Sequence, residues 1–519
     1  MASDKPAAAH TPSKRQENRA AITLCVIAAT FMQALDTTIA NVALPYIQGT
    51  MSASLDEIGW VLTSYIAAAA IMTPPTGFLA GRFGTKKLFL ASVTGFTIAS
   101  VLCGLAQSLV QIVLFRALQG VFGAALVPLS QAVLFTVTPK EKQGSAMGLF
   151  GVAVMVGPVV GPILGGWLTD NLDWRWVFYI NLPVGILAFI GMVIFLPDTP
   201  RNKNAKLDWF GFGALSLMIG ALQIMLDRGE EQDWFSSTEI WIEAIMAAVA
   251  GYYFLVHTAT TKKPFISPSL FRDRNFTAGT LFIIIVGLTY YASLALQTPY
   301  IQGLMNYPVV TAGFVMGPRG MGTMAAMLVV GRLVGKVDTR ILLSIGLALT
   351  AWSFYAMTGW TPDVSQYTIV VVGVIQGIGL GFLFVPLTTI TLSTLPAAQR
   401  TEGAGIYSLA RNIGSSVGIS VMNSLLTTNT QVNHAEIAAY VTPFNRALDM
   451  PAVANVWNPL VTKSAAALNA VVTRQAQIIA YINDYKLLMI AVLAVIPLLL
   501  VFKPSGSRRP SDGSQPVTE

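Results

Sequence analysis

The sequence predicts an all-α polytopic membrane protein, and three observations carry that reading. Of its 519 residues 54% are hydrophobic and 11% charged, whereas soluble domains carry roughly 25% charged residues. Several apolar runs reach the ~20 residues a helix needs to cross the hydrocarbon core. These runs are continuous, and barrel strands would instead read as ~10-residue alternating segments. A bilayer leaves only those two options, because each backbone polar group must be satisfied within the chain.

Taken in order, the apolar runs give fourteen spans: 20–46, 57–80, 86–107, 110–136, 144–168, 174–196, 208–226, 239–258, 276–302, 308–332, 339–360, 366–394, 403–427 and 486–502. Charge tests the count. Both termini and the loops around Arg82, Lys140, Lys203, Lys262, Lys336 and Arg400 fall on one side and hold most of the Lys and Arg residues. Only Arg175, Arg228, Arg446, Lys463, Arg474 and Lys486 lie opposite. The positive-inside rule then puts both termini in the cytoplasm. The +7 net charge is spread through short loops, so it reads as topology and not as a nucleic-acid surface. Cys25 and Cys103 sit within spans and suggest no disulfide framework. No short apolar signal region with a cleavage site opens the sequence, and the first span is expected to direct insertion.

The chain also repeats itself. Pro45-Tyr46-Ile47-Gln48-Gly49 returns 254 residues later as Pro299-Tyr300-Ile301-Gln302-Gly303, and Gly77 to Arg82 aligns with Gly331 to Lys336 at the same offset. Near an offset of 257, Gln119-Gly120 and Pro128-Leu129 match Gln376-Gly377 and Pro386-Leu387, and Gly157 and Gly161 match Gly414 and Gly418. An ordered series of this kind marks an internal duplication. It divides the chain into a tail (1–19), a six-helix bundle (20–200), two inserted helices with linkers (201–274), a second six-helix bundle (275–502) containing an external loop (428–485), and a tail (503–519). Two parallel six-span halves are the major facilitator plan, in which substrate binds between halves that rock against each other.

Candidate chemistry lies in the embedded polar residues. Asp36 is about fifteen residues into the first span, or about 22 Å along the helix at 1.5 Å per residue. Such a carboxylate is costly and marks ion or proton pathways; the plainer reading is a structural acid bonded to Thr37, Thr38 or Asn41. Arg116, Arg319 and Arg411 are embedded cations that stay charged at any accessible pH. Arg116 is the candidate to act on Asp36. Arg319 and Arg411, with Gln33, Asn41, Gln119 and Asn412, are candidate cavity residues, and structural bonding is an equal alternative for the arginines. Gly157, Pro158, Gly161 and Pro162 sit in a glycine- and proline-rich stretch suited to close helix contact. Gly77, Gly81, Arg82 and Gly84 form a tight basic turn, repeated in the second half and read as part of a gate. The external loop carries apolar residues at helical spacing over 463–485, which suggests an amphipathic helix, either a docking surface or a cap. No phosphate-binding GxxxxGK[ST] loop occurs, which argues against ATP hydrolysis. The scattered His10, His257 and His434 offer no metal site, and no enzymatic constellation or cofactor is expected beyond the proton as coupling ion.

The residues from Leu35-Asp36-Thr37-Thr38 to Pro45 resemble the first-span signature of fourteen-span drug:proton antiporters. Arg116-Ala117-Leu118-Gln119-Gly120 resembles their fourth-span motif, Gly157-Pro158 through Gly165-Gly166 the fifth, and Trp174 to Phe178 with Asn181 and Pro183 the sixth. Leu222 to Gly229, Asp233 to Ser237, Pro386 to Leu392, Asn433-His434-Ala435 and Pro443-Phe444-Asn445 are similar to the EmrB subgroup. Over about 20–503 the resemblance implies a bacterial inner-membrane exporter of hydrophobic drugs and uncouplers, driven by proton entry. It implies a periplasmic membrane-fusion adaptor and an outer-membrane TolC-type channel as partners, and Asp36 and Arg116 as proton-coupling residues. The chain departs from the pattern at Gly81, where the motif has an acid, and in its tenth span, which holds Arg319 where some relatives have an acid. A preference for neutral or weakly acidic hydrophobic compounds over dications follows. Rival expectations are export of one metabolite or siderophore, and a receptor or assembly platform that transports nothing.

Overall fold

The computed structural model describes residues 14–199, 206–262, 264–442 and 462–502. The first part of the expected N-terminal tail, Lys203, the middle of the expected loop with Arg446, and the tail 503–519 lie outside the described residues. The helices of eight or more residues are α1 (Lys14–Met51), α2 (Trp60–Met72), α3 (Thr76–Phe83), α4 (Thr85–Leu105), α5 (Leu109–Gly123), α6 (Leu126–Val137), α7 (Gln143–Asn171) and α8 (Asn181–Phe195). They continue as α9 (Trp209–Arg228), α10 (Thr238–Thr260), α11 (Arg274–Pro299), α12 (Val309–Leu333), α13 (Thr339–Met357), α14 (Gln366–Ser393), α15 (Arg400–Ala439) and α16 (Thr462–Ala494).

Among the described residues, 12 helical stretches are long and apolar enough to cross a membrane. Two of the expected fourteen positions are filled by helices outside those limits. One is α2 with α3, interrupted at Thr73-Pro74-Pro75, where the prolines supply no backbone donors. The other is α15, whose 40 residues carry polar side chains along their length. The α5–α6 span breaks at Ala124-Ala125, where the Pro128 ring faces the carbonyl four residues before it. Side-chain caps start several helices: Ser108 accepts from the Gln111 amide, Asp273 from Phe276 and Ser365 from Thr368. Large apolar side chains such as Leu187, Ile194, Leu255 and Phe314 are well exposed around the bundle, an apolar surface suited to lipid and not to water.

The duplication is visible in the packing. In the first half α1 packs on α7 and α8, α2 on α5, and α4 on α5 and α8. In the second half α11 packs on α15 and α16, α12 on α14, and α13 on α14 and α16. Glycines permit the two matching crossings: a side chain at Gly157 or Gly161 would run into Ala34 or Thr38 of α1, and one at Gly414 or Gly418 into the α11 backbone at Ile284 or Leu288.

The halves meet along α7 and α12. At the end of the bundle that carries Arg82 and Lys140, Gly144 and Gly148 press on Val334, Gly331 and Met327, and the Ser145 hydroxyl donates to the Gly331 carbonyl at 3.2 Å. At the same end Gly77 lies against Glu402, and the Arg400 guanidinium reaches the Phe135 carbonyl. The halves are closed there. The inserted helices pack on each other, and α9 lies between α2 of the first half and α15 of the second.

The expected external loop 428–485 is corrected. Instead of a span ending near 427, α15 runs unbroken to Ala439, and α16 begins at Thr462 and continues without a break into the last span. The two extensions pair, with the Asn433 amide on the Ala476 carbonyl and His434 on Asn469 at 2.9 Å. The expected helix over 463–485 is thus the first part of a longer one. A drop in hydropathy marks where a helix leaves lipid, and the helix itself persists on its pairing contacts.

Candidate functional site

Asp36 of α1, Arg116 and Gln119 of α5 and Asn181 at the start of α8 converge in the first half. The Arg116 guanidinium donates to one Asp36 oxygen at 2.7 Å, and the Gln119 and Asn181 amides both donate to the other at 2.8 Å. Arg116 also donates to the Gln119 side-chain carbonyl at 2.8 Å and, from Nε, to the Val61 carbonyl of α2 at 3.2 Å. Its charge sits 4.3 Å from the centre of the Tyr65 ring, a cation–π contact. The three-residue separation of Arg116 and Gln119 puts both on one face of α5. Asn181 is oriented from behind, donating to the Ser100 hydroxyl of α4 at 2.9 Å while Ser100 donates to the Phe178 carbonyl.

Asp36, Arg116 and Gln119 have no solvent exposure. Removing one partner of a buried, hydrogen-bonded pair costs about 3–5 kcal/mol, because the other charge is left alone. A membrane potential of ~100 mV acting on one charge supplies ~2.3 kcal/mol, too little to open the pair. A proton on Asp36 removes the attraction itself. The expected alternative partners of Asp36 are not used: Thr37 and Thr38 donate to the Ala34 and Leu35 carbonyls, and Asn41 is exposed.

A second polar cluster occupies the matching place in the other half. Arg319 of α12 is 4% exposed and donates to the Ser293 hydroxyl at 3.3 Å and the Gln297 carbonyl at 2.9 Å, both on α11. Gln376 of α14, the repeat partner of Gln119, donates to the same Ser293 at 3.2 Å. The Arg319 charge lies 4.9 Å from the Tyr290 ring centre. Its Nε and second terminal nitrogen are buried without a partner. Among the described residues the ion pairs within 4 Å are Arg116–Asp36, Arg175–Asp173, Arg228–Glu239 and His257–Asp208, so no carboxylate answers Arg319.

The remaining expected residues are dispersed. Gln119 belongs to the Asp36 network, and Gln33 joins its edge by donating to the Tyr65 hydroxyl at 3.2 Å. Arg411 lines a small cavity at the seam with Met155, Tyr290, Tyr291 and Phe384. At about 10 Å³ this cavity holds roughly one water. Asn412 is half-buried beside it on α15. On α7, Gly157 and Gly161 form the crossing with α1, and Thr38 donates across it to the Gly157 carbonyl at 3.0 Å. Pro158 and Pro162 lie within the continuous α7 helix, and Pro162 is exposed. In the basic turn Gly77 makes the Glu402 contact, Arg82 closes the last turn of α3, and Gly81 lies inside α3 with open space beside it. The turn geometry belongs to Gly84, which shares a left-handed backbone with Gly335 (φ 89° and 88°), a conformation glycine adopts without penalty.

Sequence reasoning missed two acids beside expected span ends, one half-buried and one buried. Asp227 lies one residue beyond the expected limit of 226 and inside α9, bonded to Gln223 at 2.9 Å. Asp484 lies two residues before the expected start at 486, and the unbroken α16 buries it to 1% exposure. The signal available for Asp227 was its four-residue spacing from Gln223, which puts both on one helix face.

Comparison with known proteins places this architecture. The Major Facilitator Superfamily model matches residues 26–419. The multidrug export protein EmrB of Haemophilus influenzae is 38% identical over 427 residues, covering 82% of this chain and 84% of that protein. The fatty acid resistance protein FarB of Neisseria gonorrhoeae is 36% identical over 486 residues, covering 93% and 96%. Among solved structures, the human organic anion transporter MFSD10 matches at a TM-score of 0.60 and 13% identity, over 94% of this chain and 100% of that one. The proton:xylose symporter XylE matches at 0.60 and 12%, over 94% and 99%. Those identities speak to the fold alone. The sequence relatives and the family model say more: the chain belongs to the Major Facilitator Superfamily of transporters and, within it, to the group that contains the EmrB proteins.

Proposed function

We propose that this chain is a proton-driven antiporter that exports hydrophobic drugs and toxic compounds across the bacterial inner membrane. The observation that carries the reading is the Asp36 network: a carboxylate on α1 without solvent exposure, tied to Arg116 and Gln119 on α5 and to Asn181 on α8. Charging or neutralising that one group changes the forces among α1, α5 and α8 together, and through the Gly157 and Gly161 crossing it reaches α7, which also forms the seam with α12. With both termini in the cytoplasm, the closed end at Gly144 and Gly331 is the cytoplasmic one. A proton arriving from the periplasm neutralises Asp36, frees Arg116 and lets substrate leave outward; loss of the proton to the cytoplasm restores the pair.

Names of relatives support the substrate class: multidrug export for EmrB, fatty acid resistance for FarB and colistin resistance for the Acinetobacter baumannii EmrB. Arg319, charged and without a carboxylate, favours neutral or weakly acidic compounds over dications. A membrane-fusion adaptor and an outer-membrane TolC-type channel complete the path as partners, and the paired extensions of α15 and α16 give them a surface beyond the bilayer. Purified protein in proteoliposomes tests the reading with a panel of weak acids, neutral compounds and dications. Export of the acids and neutral compounds should depend on an imposed pH gradient. Gradient-independent export, or stronger export of dications, would overturn it.

A further inference from the structure

The inserted helix α9 carries a motif, Leu222 to Gly229, that the Asp36 mechanism leaves unused. Two of its side chains, one helical turn apart, form a polar bridge across the molecule. The Gln223 amide donates to Asp227 at 2.9 Å, and the Gln223 carbonyl accepts from the Ser416 hydroxyl of α15 at 3.0 Å. One turn further on, Ser420 donates to the Leu226 carbonyl at 2.8 Å. On the other side Asp227 meets the Thr63 hydroxyl of α2. Thus α9 links the first half, through α2, to the second half, through α15.

Asp227 and Arg116, the partner of Asp36, abut the same turn of α2 from different faces. Val61 and Tyr65 face Arg116, while Trp60 and Thr63 face Arg228 and Asp227. The two acids differ in their partners. Asp36 has a guanidinium and two amides. Asp227 has one amide on one oxygen and Thr63 beside it, and its Oδ2 is buried with no hydrogen-bond partner. No cation lies within 4 Å of it among the described ion pairs. Its neighbour Arg228 is turned to Glu239 and the Trp60 ring. The charged group that acts on Asp227 is Glu231, of like sign, and α2 and α15 bring hydroxyls. An embedded carboxylate in this setting needs a proton or a cation at its side.

We propose that Asp227 is a second proton-binding site of the transporter, loaded when the Gln223–Ser416 bridge between the halves opens. In this step one proton passes from external water to the carboxylate, giving the neutral acid, and returns to water on the cytoplasmic side when the bridge reforms. The inserted pair is then a proton-carrying strut between the halves. The proposal rests on the proton-driven reading above.

The test measures the steady-state substrate ratio across proteoliposomes against an imposed pH difference at zero membrane potential, with the full-length protein and a neutral substrate. Each coupled proton contributes about tenfold to that ratio per pH unit. Asp227→Asn should lower the ratio about tenfold per pH unit, and Asp227→Glu should restore it. Gln223→Ala and Ser416→Ala, which keep the carboxyl, should change the rate and leave the slope unchanged. A wild-type slope of zero would sink the proton-driven reading itself. A wild-type slope kept intact by folded Asp227→Asn would overturn this site alone. Should Asp227→Asn not fold, a slope altered by Ser416→Ala would overturn it equally, since that variant retains the acid.

Discussion

The two halves of this transporter hold the same polar motif with its parts exchanged. In the first half an arginine on α5, Arg116, stacks on a tyrosine on α2, Tyr65, and pairs with Asp36 on α1. In the second half the repeat position of Tyr65 is Arg319, that of Asp36 is Tyr290, and that of Arg116 is Gly373. The cation has moved to the helix of the ring and the ring to the helix of the acid, and the two still stack. Gly373 leaves room next to Arg319, where a side chain would begin 3.6 Å from the arginine Cβ. Gln119 and Gln376 stay in place, each in its cluster. What the exchange removes is the carboxylate. One half keeps a neutral pair that a proton can break, and the other keeps a buried positive charge that a proton cannot alter, since guanidinium stays charged. On the reading proposed above, proton coupling and preference for acidic cargo would fall to different halves of one duplicated scaffold.

The difference can be broken most forcefully at the arginines. Arg116→Ala leaves the buried Asp36 carboxylate without its cation and should destabilise the protein by about 3–5 kcal/mol, read as a lowered midpoint of thermal unfolding in detergent. Arg319→Gln leaves no carboxylate behind and should change the same midpoint far less, by about 1 kcal/mol for its lost hydrogen bonds. Equal losses would remove the distinction between a paired and an unpaired charge.

The helix crossings give a smaller effect. Gly157→Val puts a side chain into Ala34 and should cost about 1–3 kcal/mol by overpacking. Gly166, where an added methyl would meet nothing within 4 Å, should accept alanine within about 0.5 kcal/mol. Unfolding midpoints of the pair decide whether the α1–α7 contact is as tight as its glycines require.

The mildest change restores the missing acid. Tyr290→Asp places a carboxylate at the repeat position of Asp36, beside Arg319. Competition between a weak acid and a neutral compound should shift by about tenfold toward the neutral one, which corresponds to about 1.4 kcal/mol. An unchanged preference would separate Arg319 from cargo recognition.

Much of this arrangement is legible in the sequence alone. Hydropathy locates the helices because lipid imposes one rule on every span, and Asp36 and Arg116 stand out because charge within an apolar run is rare. That Arg116 meets Asp36, 80 positions earlier in the chain, is a matter of packing and not of local pattern. Asn181 is visible within a motif, yet its task of holding the second Asp36 oxygen depends on Ser100 of α4. Hydropathy fails where leaving the membrane is equated with leaving the helix. The polar stretches of α15 and α16 stay helical because they pack on each other, and the cut at 226 puts Asp227 in a loop that the structure makes part of α9. The repeat aligns Gly81 with Gly335, although Gly84 is the glycine that shares its backbone; a register read from identities does not resolve a three-residue shift in a turn. The interruption at Thr73-Pro75 is spelled out by its prolines and is absorbed into one span by hydropathy averaging.

The central claim is that protonation of Asp36, by releasing Arg116, is what converts a pH gradient into export. Asp36→Asn keeps the shape of the side chain and loses the proton site. Reconstituted in proteoliposomes, this variant should move substrate down its concentration gradient and lose about tenfold of its uphill accumulation per unit of imposed pH difference. Gradient-driven accumulation at the wild-type level by folded Asp36→Asn protein would contradict the account.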